Sequence, residues 1–315
     1  MRITFSVMPT GLTQPITSGA APVEGVELEV FRPKTTDANS RAMLQMEYDV
    51  GEMSIAAFTK ARELGLPLRA IPVFTSGRRF VQSGIYLSKA SGLTSPDQLS
   101  GRTIGLPQYW ISSCVWQRHV LETMHGIAPE KASWVTVEPE RFEGGLPAAV
   151  ELRTVGGGDL AALMRAGEID ACLLQGGRPL PEELAELTVP AYPDLVSAER
   201  DYYRADGLLP LLHVTVIKEE LAEAEPALVP ALLAAYSEAK DIASSDPATE
   251  WPLPPLGHRL PELRELLGGD PWPYGVAANR QAIETFLTTA ADQGLVSHRF
   301  EVDELFVDDL PAAFA

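Results

Sequence analysis

Cysteine is nearly missing from this chain. Among 315 residues only Cys114 and Cys172 occur. Two thiols so far apart supply neither a disulfide framework nor the paired ligands of a structural zinc site. Both stand in apolar runs, so buried thiols are expected. Positive charge is scarce as well: 25 Lys and Arg face 43 Asp and Glu, a formal net charge of −18. Nucleic acid and anionic membranes need clustered Lys or Arg, and this balance argues against both as partners. It still admits an anionic small molecule, because salt screens a distant acidic surface over about 10 Å and local arginines act inside that range. No apolar run reaches the roughly 18 residues that would span a bilayer. The first residues, MRITFSVMPTGL, lack the apolar stretch and small-residue cleavage site of a signal peptide, so a cytoplasmic location is expected. The EGG, VGGG and QGG runs lack Gly-x-Gly-x-x-Gly spacing and are not phosphate loops. His119 and His125 are six positions apart, the wrong interval for two metal ligands on one helix face.

What is present is ample apolar material. Hydrophobic residues make up 45% and charged residues 22%, enough for a sizeable core, and the length suggests two domains. Residues 2–7 and 26–31 alternate apolar and polar, the period of half-buried strands. Residues 52–64 repeat apolar side chains at helical spacing, with Gly65 as the stop. Residues 68–74 and 83–89 read as strands. A new unit opens at 93–110 with a helical turn and a strand from Arg102 to Leu106. Pro107 ends that strand, and a helix runs from about Ser112 to His125. Residues 133–137 read as another strand. In 158–174, Leu160, Leu163 and Met164 share a helix face, Gly167 ends the helix, and IDACLL is a buried strand. A strand at 211–217, an amphipathic helix at 227–243, a proline-rich irregular stretch at 245–262 and a helix at 280–293 complete the chain.

Strands alternating with helices define an α/β fold. The expected layout is two lobes, residues 1–92 with 205–315, and an inserted lobe of 93–204. Crossovers near 88–94 and 199–209 join them, and the ligand cleft lies between them.

LSGRTIGLPQ (99–108) and LMRAGEIDACLL (163–174) resemble the second lobe of type II periplasmic-binding-protein-like folds. YDVGEMS (48–54), IPVFTSGRRFVQSGIYLSK (71–89), GLPQYWISSCVWQRHVL (105–121), LLPLLHVTVIKEEL (208–221) and GDPWPYGVAANRQAIETF (269–286) resemble the 4,5-dihydroxyphthalate decarboxylase family over nearly the whole chain. That resemblance implies a cytoplasmic carboxy-lyase on the binding-protein scaffold, acting on a hydroxylated aromatic carboxylate without an organic cofactor.

Such a reaction needs a cation or helix N-terminus for the carboxylates, an acid for the ring carbon and a partner for the hydroxyls. Arg78 and Arg79 follow FTSG in a loop, and a guanidinium grips a carboxylate with two parallel bonds. His213 can deliver a proton near neutral pH, and the resemblance places it at the cleft. Glu52 and Ser54 stand at the expected helix start, either as ordinary dipole partners and caps or with Glu52 serving the ring hydroxyls or the proton. Asp49 is the preferred cap. Ser112 and Ser113 begin a helix whose free N–H groups form an anion site, with Tyr109 and Trp110 placed to stack on a ring. Trp272, Tyr274 and Asn279 either line the cleft or brace a loop. No metal constellation stands out, although Glu52, His213 and a substrate carboxylate together could gather a divalent ion. A small-anion binding protein and a different lyase or dehydratase on the same scaffold are the alternatives. Self-association into a homo-oligomer stays open.

Overall fold

The computed structural model describes residues 1–142, 144–176, 179–252 and 259–315. Apolar-polar alternation in RITFS buries Ile3 and Phe5 and builds β1 (Arg2–Ser6). There follow α1 (Gln14–Ser18), β2 (Glu27–Phe31), α2 (Thr36–Leu44), β3 (Val50–Ser54), α3 (Ile55–Glu63) and β4 (Leu68–Ile71). The middle of the chain gives β5 (Ile85–Ser88), β6 (Thr103–Leu106), α4 (Ser112–His125), β7 (Ser133–Thr136), β8 (Glu151–Thr154), α5 (Leu160–Arg165), β9 (Ala171–Leu173), α6 (Glu182–Leu187), β10 (Thr188–Pro190) and α7 (Leu195–Asp206). The last part gives β11 (His213–Lys218), α8 (Glu219–Ala224), α9 (Leu228–Ser245), α10 (Leu260–Leu267) and α11 (Arg280–Asp292).

Among the described residues these strands form two sheets. The first has the order β2-β1-β3-β11-β4, the second β10-β5-β9-β6-β7-β8. In the first, β1 runs parallel to β2 and β3, while β11 returns late in the chain and pairs antiparallel with β3 and β4. In the second, β6 runs parallel to β7 and β9, while β5 is antiparallel to β9 and β10. Each sheet thus holds one strand delivered from the other by a long crossing. The arrangement is the two-sheet α/β architecture of a type II periplasmic-binding-protein-like fold.

Three sequence expectations need correction. The strand expected at 83–89 in the first lobe pairs in the second sheet as β5, so the boundary expected at residue 92 falls too late. The chain leaves the first sheet after Ile71 and returns to it at His213. The helix expected from Glu52 begins at Ile55, because pairing with β11 holds Val50–Ser54 as strand. Edge strands β8 and β10 were not anticipated: Glu-Leu-Arg-Thr is mostly exposed and Thr-Val-Pro is only three residues long. Within the proline-rich 245–262, residues 253–258 lie outside the described residues, and α10 begins at Leu260.

One continuous apolar core runs through both sheets, with Phe58, Phe74, Leu87, Trp116, Trp134 and Phe286 among its members. A second packs α9 against the first sheet through Phe5, Val50, Ile71, Ile217, Leu232 and Tyr236. Burying these side chains is the main favourable term in holding the sheets, at roughly 1.5–3 kcal/mol for each large one. Trp116 on α4 donates its Nε1–H to the Leu211 carbonyl at 2.8 Å, tying the second lobe to the segment that leads into β11. Cys114 and Cys172 are buried as expected, and burial pushes both thiols up to about 12. No helix among the described residues is long and apolar enough to cross a membrane.

Candidate active site

A cleft of about 700 Å³ opens where the two sheets face each other. Ser54, Ser76 and His213 line it from one side, and Trp110, Ser112 and Ser113 from the other. The register of β11 fixes its chemistry. Thr215 lies opposite Glu52 and His213 opposite Ser54. Cross-strand partners share a face, as do residues two apart on one strand, so Glu52 and His213 meet on the same face. His213 Nδ1 stands 2.9 Å from Glu52 Oε1 and 2.7 Å from Ser76 Oγ. The Ser76 hydroxyl donates to the same Glu52 oxygen. Glu52 is 1% exposed, whereas the His213 side chain is 19% exposed. With Nδ1 engaged by the carboxylate and the serine, Nε2 is the nitrogen left for the cleft. Gly77 makes room for this packing: its φ is +62°, and a Cβ there would stand 2.5 Å from His213 Nδ1.

The neighbouring carboxylate Asp49 is not the cap of α3. It accepts from the Thr4 N–H at 2.9 Å, the Thr4 hydroxyl at 2.8 Å and the Lys218 ammonium at 2.9 Å. Ser54 caps the helix instead, accepting from the Ala57 N–H. Its hydroxyl also meets that of Ser112 at 2.8 Å, and Ser112 Oγ accepts from the Ala56 N–H. The starts of α3 and α4 are therefore stitched together at the cleft. Ile111 offers α4 no side-chain cap, and the Ser113 hydroxyl is buried beside the Cys114 thiol. That helix start retains the donor character of an anion site.

Arg79 lines the cleft and donates to the Gln175 and Gly176 carbonyls across it. Arg78 turns away. It is 7% exposed, donates to Asn279 Oδ1, and burial lowers its pKa to about 10. Asn279 also donates to the Pro273 and Gly275 carbonyls, so it holds Arg78 and a loop rather than a ligand. Trp272 is fully buried and stacks on Trp251 at 5.3 Å. Tyr274 belongs to a different hollow. Tyr109 is also core: the Arg118 guanidinium lies 3.6 Å from its ring centroid, and Trp110 and Trp134 meet it edge-on. Of the expected ring-stacking pair only Trp110 reaches the cleft.

Four residues of the site went unread in the sequence. Ser76 and Gly77 sit in FTSGRR, where the arginines draw the eye first. Glu140 and Arg141 fall in a stretch with no assigned element. Glu140 lines the cleft and accepts from the Tyr109 N–H at 2.5 Å. Burial raises its pKa against the pull of those backbone donors. Arg141 pairs with Asp37 at the start of α2, an ion pair across the cleft mouth. Among the described residues no group of three or more His, Cys, Asp or Glu side chains stands together as a metal site.

No family model matches the chain. It is 30% identical to a 4,5-dihydroxyphthalate decarboxylase of Comamonas testosteroni over 312 residues, covering 93% of this chain and 92% of that one. It is 29% identical to a 4,5-dihydroxyphthalate decarboxylase of Pseudomonas putida over 208 residues, 61% of this chain and 77% of the other. Among solved structures, a sulfonate-binding protein of Methylobacillus flagellatus KT superposes with a TM-score of 0.62 at 12% identity, covering 98% and 91% of the two chains. The aliphatic sulphonate binding protein of Escherichia coli gives 0.55 at 12% identity, covering 97% of each. The structural likeness fixes the fold, and the sequence likeness goes further. Spread over almost its whole length, that likeness makes this chain a member of the 4,5-dihydroxyphthalate decarboxylase family.

Proposed function

We propose that the protein decarboxylates a hydroxylated aromatic carboxylate of the 4,5-dihydroxyphthalate type. The observation that carries this reading is the Glu52–Ser76–His213 cluster at the cleft. A protein that only held an anion would need the donors of Arg79, Ser113 and α4, but no buried carboxylate steering an imidazole.

In this reading Arg79 and the start of α4 take the substrate carboxylates. Trp110 lies beside the ring, and Ser54 and Ser112 meet polar groups on its edge. Glu52 and Ser76 hold Nδ1, so that His213 presents Nε2 to the carbon bearing the leaving carboxylate. A hydroxyl ortho or para to that carbon lends its electron pair to the ring as the proton arrives. The bond to the carboxylate then breaks, its electrons return to the ring, and carbon dioxide departs. Excluding water as the cleft closes strengthens the ion pairs that align these groups. The test is to incubate purified protein with 4,5-dihydroxyphthalate and related phenolic acids while following carbon dioxide. Release with turnover supports the reading. A tight complex with no release would replace it with a small-anion receptor.

A further inference from the structure

Decarboxylation leaves His213 one proton poorer and neutral. The buried Glu52 carboxylate then loses its counter-ion inside the protein, which is costly unless a proton compensates it. This consequence rests on the proposed decarboxylation, and behind Glu52 the structure holds a path suited to it.

Thr215 sits opposite Glu52 in the β3–β11 ladder, on the face that packs against α9. Tyr236 of α9 is fully buried on that face, and its ring centroid lies 6.4 Å from that of Tyr274 at 80°. Tyr274 opens into a second hollow of about 600 Å³ that shares no lining residue with the cleft. Lys240 stands there, 4.4 Å from the Tyr274 ring centroid and paired with Asp270.

Four polar atoms occur in succession: Glu52 Oε2, Thr215 Oγ1, Tyr236 Oη and Tyr274 Oη. All four are buried; the Thr215 and Tyr236 hydroxyls interact with each other, and Glu52 Oε2 and Tyr274 Oη have no hydrogen-bond partner among the described residues. Folded proteins rarely leave such atoms unsatisfied, and interior water commonly bridges them. Packing alone gives no reason for them, since Phe and Val would fill the same space without the hydroxyls. The groups also feel one another. Burial pushes the Tyr236 phenol up, the Thr215 hydroxyl opposes that and the Glu52 charge adds to it. Burial likewise raises Tyr274, and Tyr236 adds to it. Both phenols therefore stay protonated, as hydroxyls that hand protons on must.

We infer that Tyr274, Tyr236 and Thr215 form a proton relay from the second hollow to Glu52 Oε2. When His213 gives its Nε2 proton to the ring carbon, a proton enters at Tyr274. Each hydroxyl accepts one proton and passes its own onward, through interior water where two of them do not touch, and Glu52 ends as the neutral acid. When the cleft reopens, Nε2 regains a proton from water and Glu52 returns its proton outward along the same path. The net uptake is one proton for each carbon dioxide released.

The test compares wild type with Tyr236→Phe, Tyr274→Phe and Thr215→Val on 4,5-dihydroxyphthalate in mixtures of light and heavy water. Melting temperatures of the variants are read alongside, so that a loss of folding is distinguished from a loss of proton transfer. Expected are kcat values about tenfold lower with unchanged KM. A rate against deuterium fraction that is bowed in wild type, from several protons in flight, is expected to become straight in the variants. Active wild type with variants of unchanged kcat and unchanged isotope curve would overturn the relay and leave the decarboxylase reading standing. Wild type that releases no carbon dioxide would overturn both.

Discussion

Gly77 stands against the imidazole of His213 at a backbone angle that disfavours any side chain. Gly77→Ala is expected to cost stability and to push Nδ1 off Glu52. A kcat reduced more than KM is raised, in steady-state kinetics, would show the displacement, and unchanged kcat would show that the contact is not needed. Arg79→Lys keeps the charge but loses the planar fork. A KM about tenfold higher with kcat moved less is the expected result. At this scale the sequence spoke through residue type. A histidine in an apolar strand and a glutamate beside a strand-to-helix turn were separate candidates by residue type, and the register of β11 joins them. Arg78 and Tyr109 misled because type does not disclose direction. Adjacent residues on an extended segment point to opposite sides, so only Arg79 of the arginine pair reaches the cleft; Tyr109 and Trp110 stand in a turn, where Tyr109 packs on Arg118 and Trp110 lines the cleft.

Elements place those residues. Ser54 ends β3, caps α3 and meets Ser112 at the start of α4. Ser54→Ala is expected to lower stability by about 1 kcal/mol from the cap alone, measured by denaturant unfolding. A change near zero would mean that another donor or water replaces it. Trp116→Phe removes the Nε1 donor to Leu211 and leaves a buried carbonyl unpaired, a loss of about 1–3 kcal/mol. The helices with strong apolar periodicity, such as Ser112–His125 and the helix after residue 227, were legible in the sequence. The short strands were not. β8 and β10 owe their existence to pairing with β7 and β5 rather than to their own pattern. The same competition explains β3, where the ladder to β11 overrides a helical reading that began three residues too early.

For the whole molecule, acid sensitivity is one consequence of how the first sheet is tied. Burial works against the Asp49 carboxylate, but hydrogen bonds from Thr4 and the Lys218 ammonium outweigh it and hold its pKa below the ordinary value. A carboxylate depressed in the folded state adds stability above its unfolded pKa, near 3.8, and loses it as pH falls through the lower folded value. Asp49→Asn is therefore expected to be less stable than wild type at neutral pH and to converge with it in acid. Parallel stability curves would contradict that assignment.

The cleft itself unites both lobes: an acid pair on one wall, anion donors on the other, and the Asp37–Arg141 pair at the mouth. In the proposed reaction His213, held by Glu52 and Ser76, gives the ring its proton. The most direct measurement is the rate of carbon dioxide release from 4,5-dihydroxyphthalate by wild type and by His213→Asn at saturating substrate. A kcat lowered about 10²–10⁴-fold, with substrate still bound, is the expected result. A His213→Asn protein that turns over at the wild-type rate would contradict it.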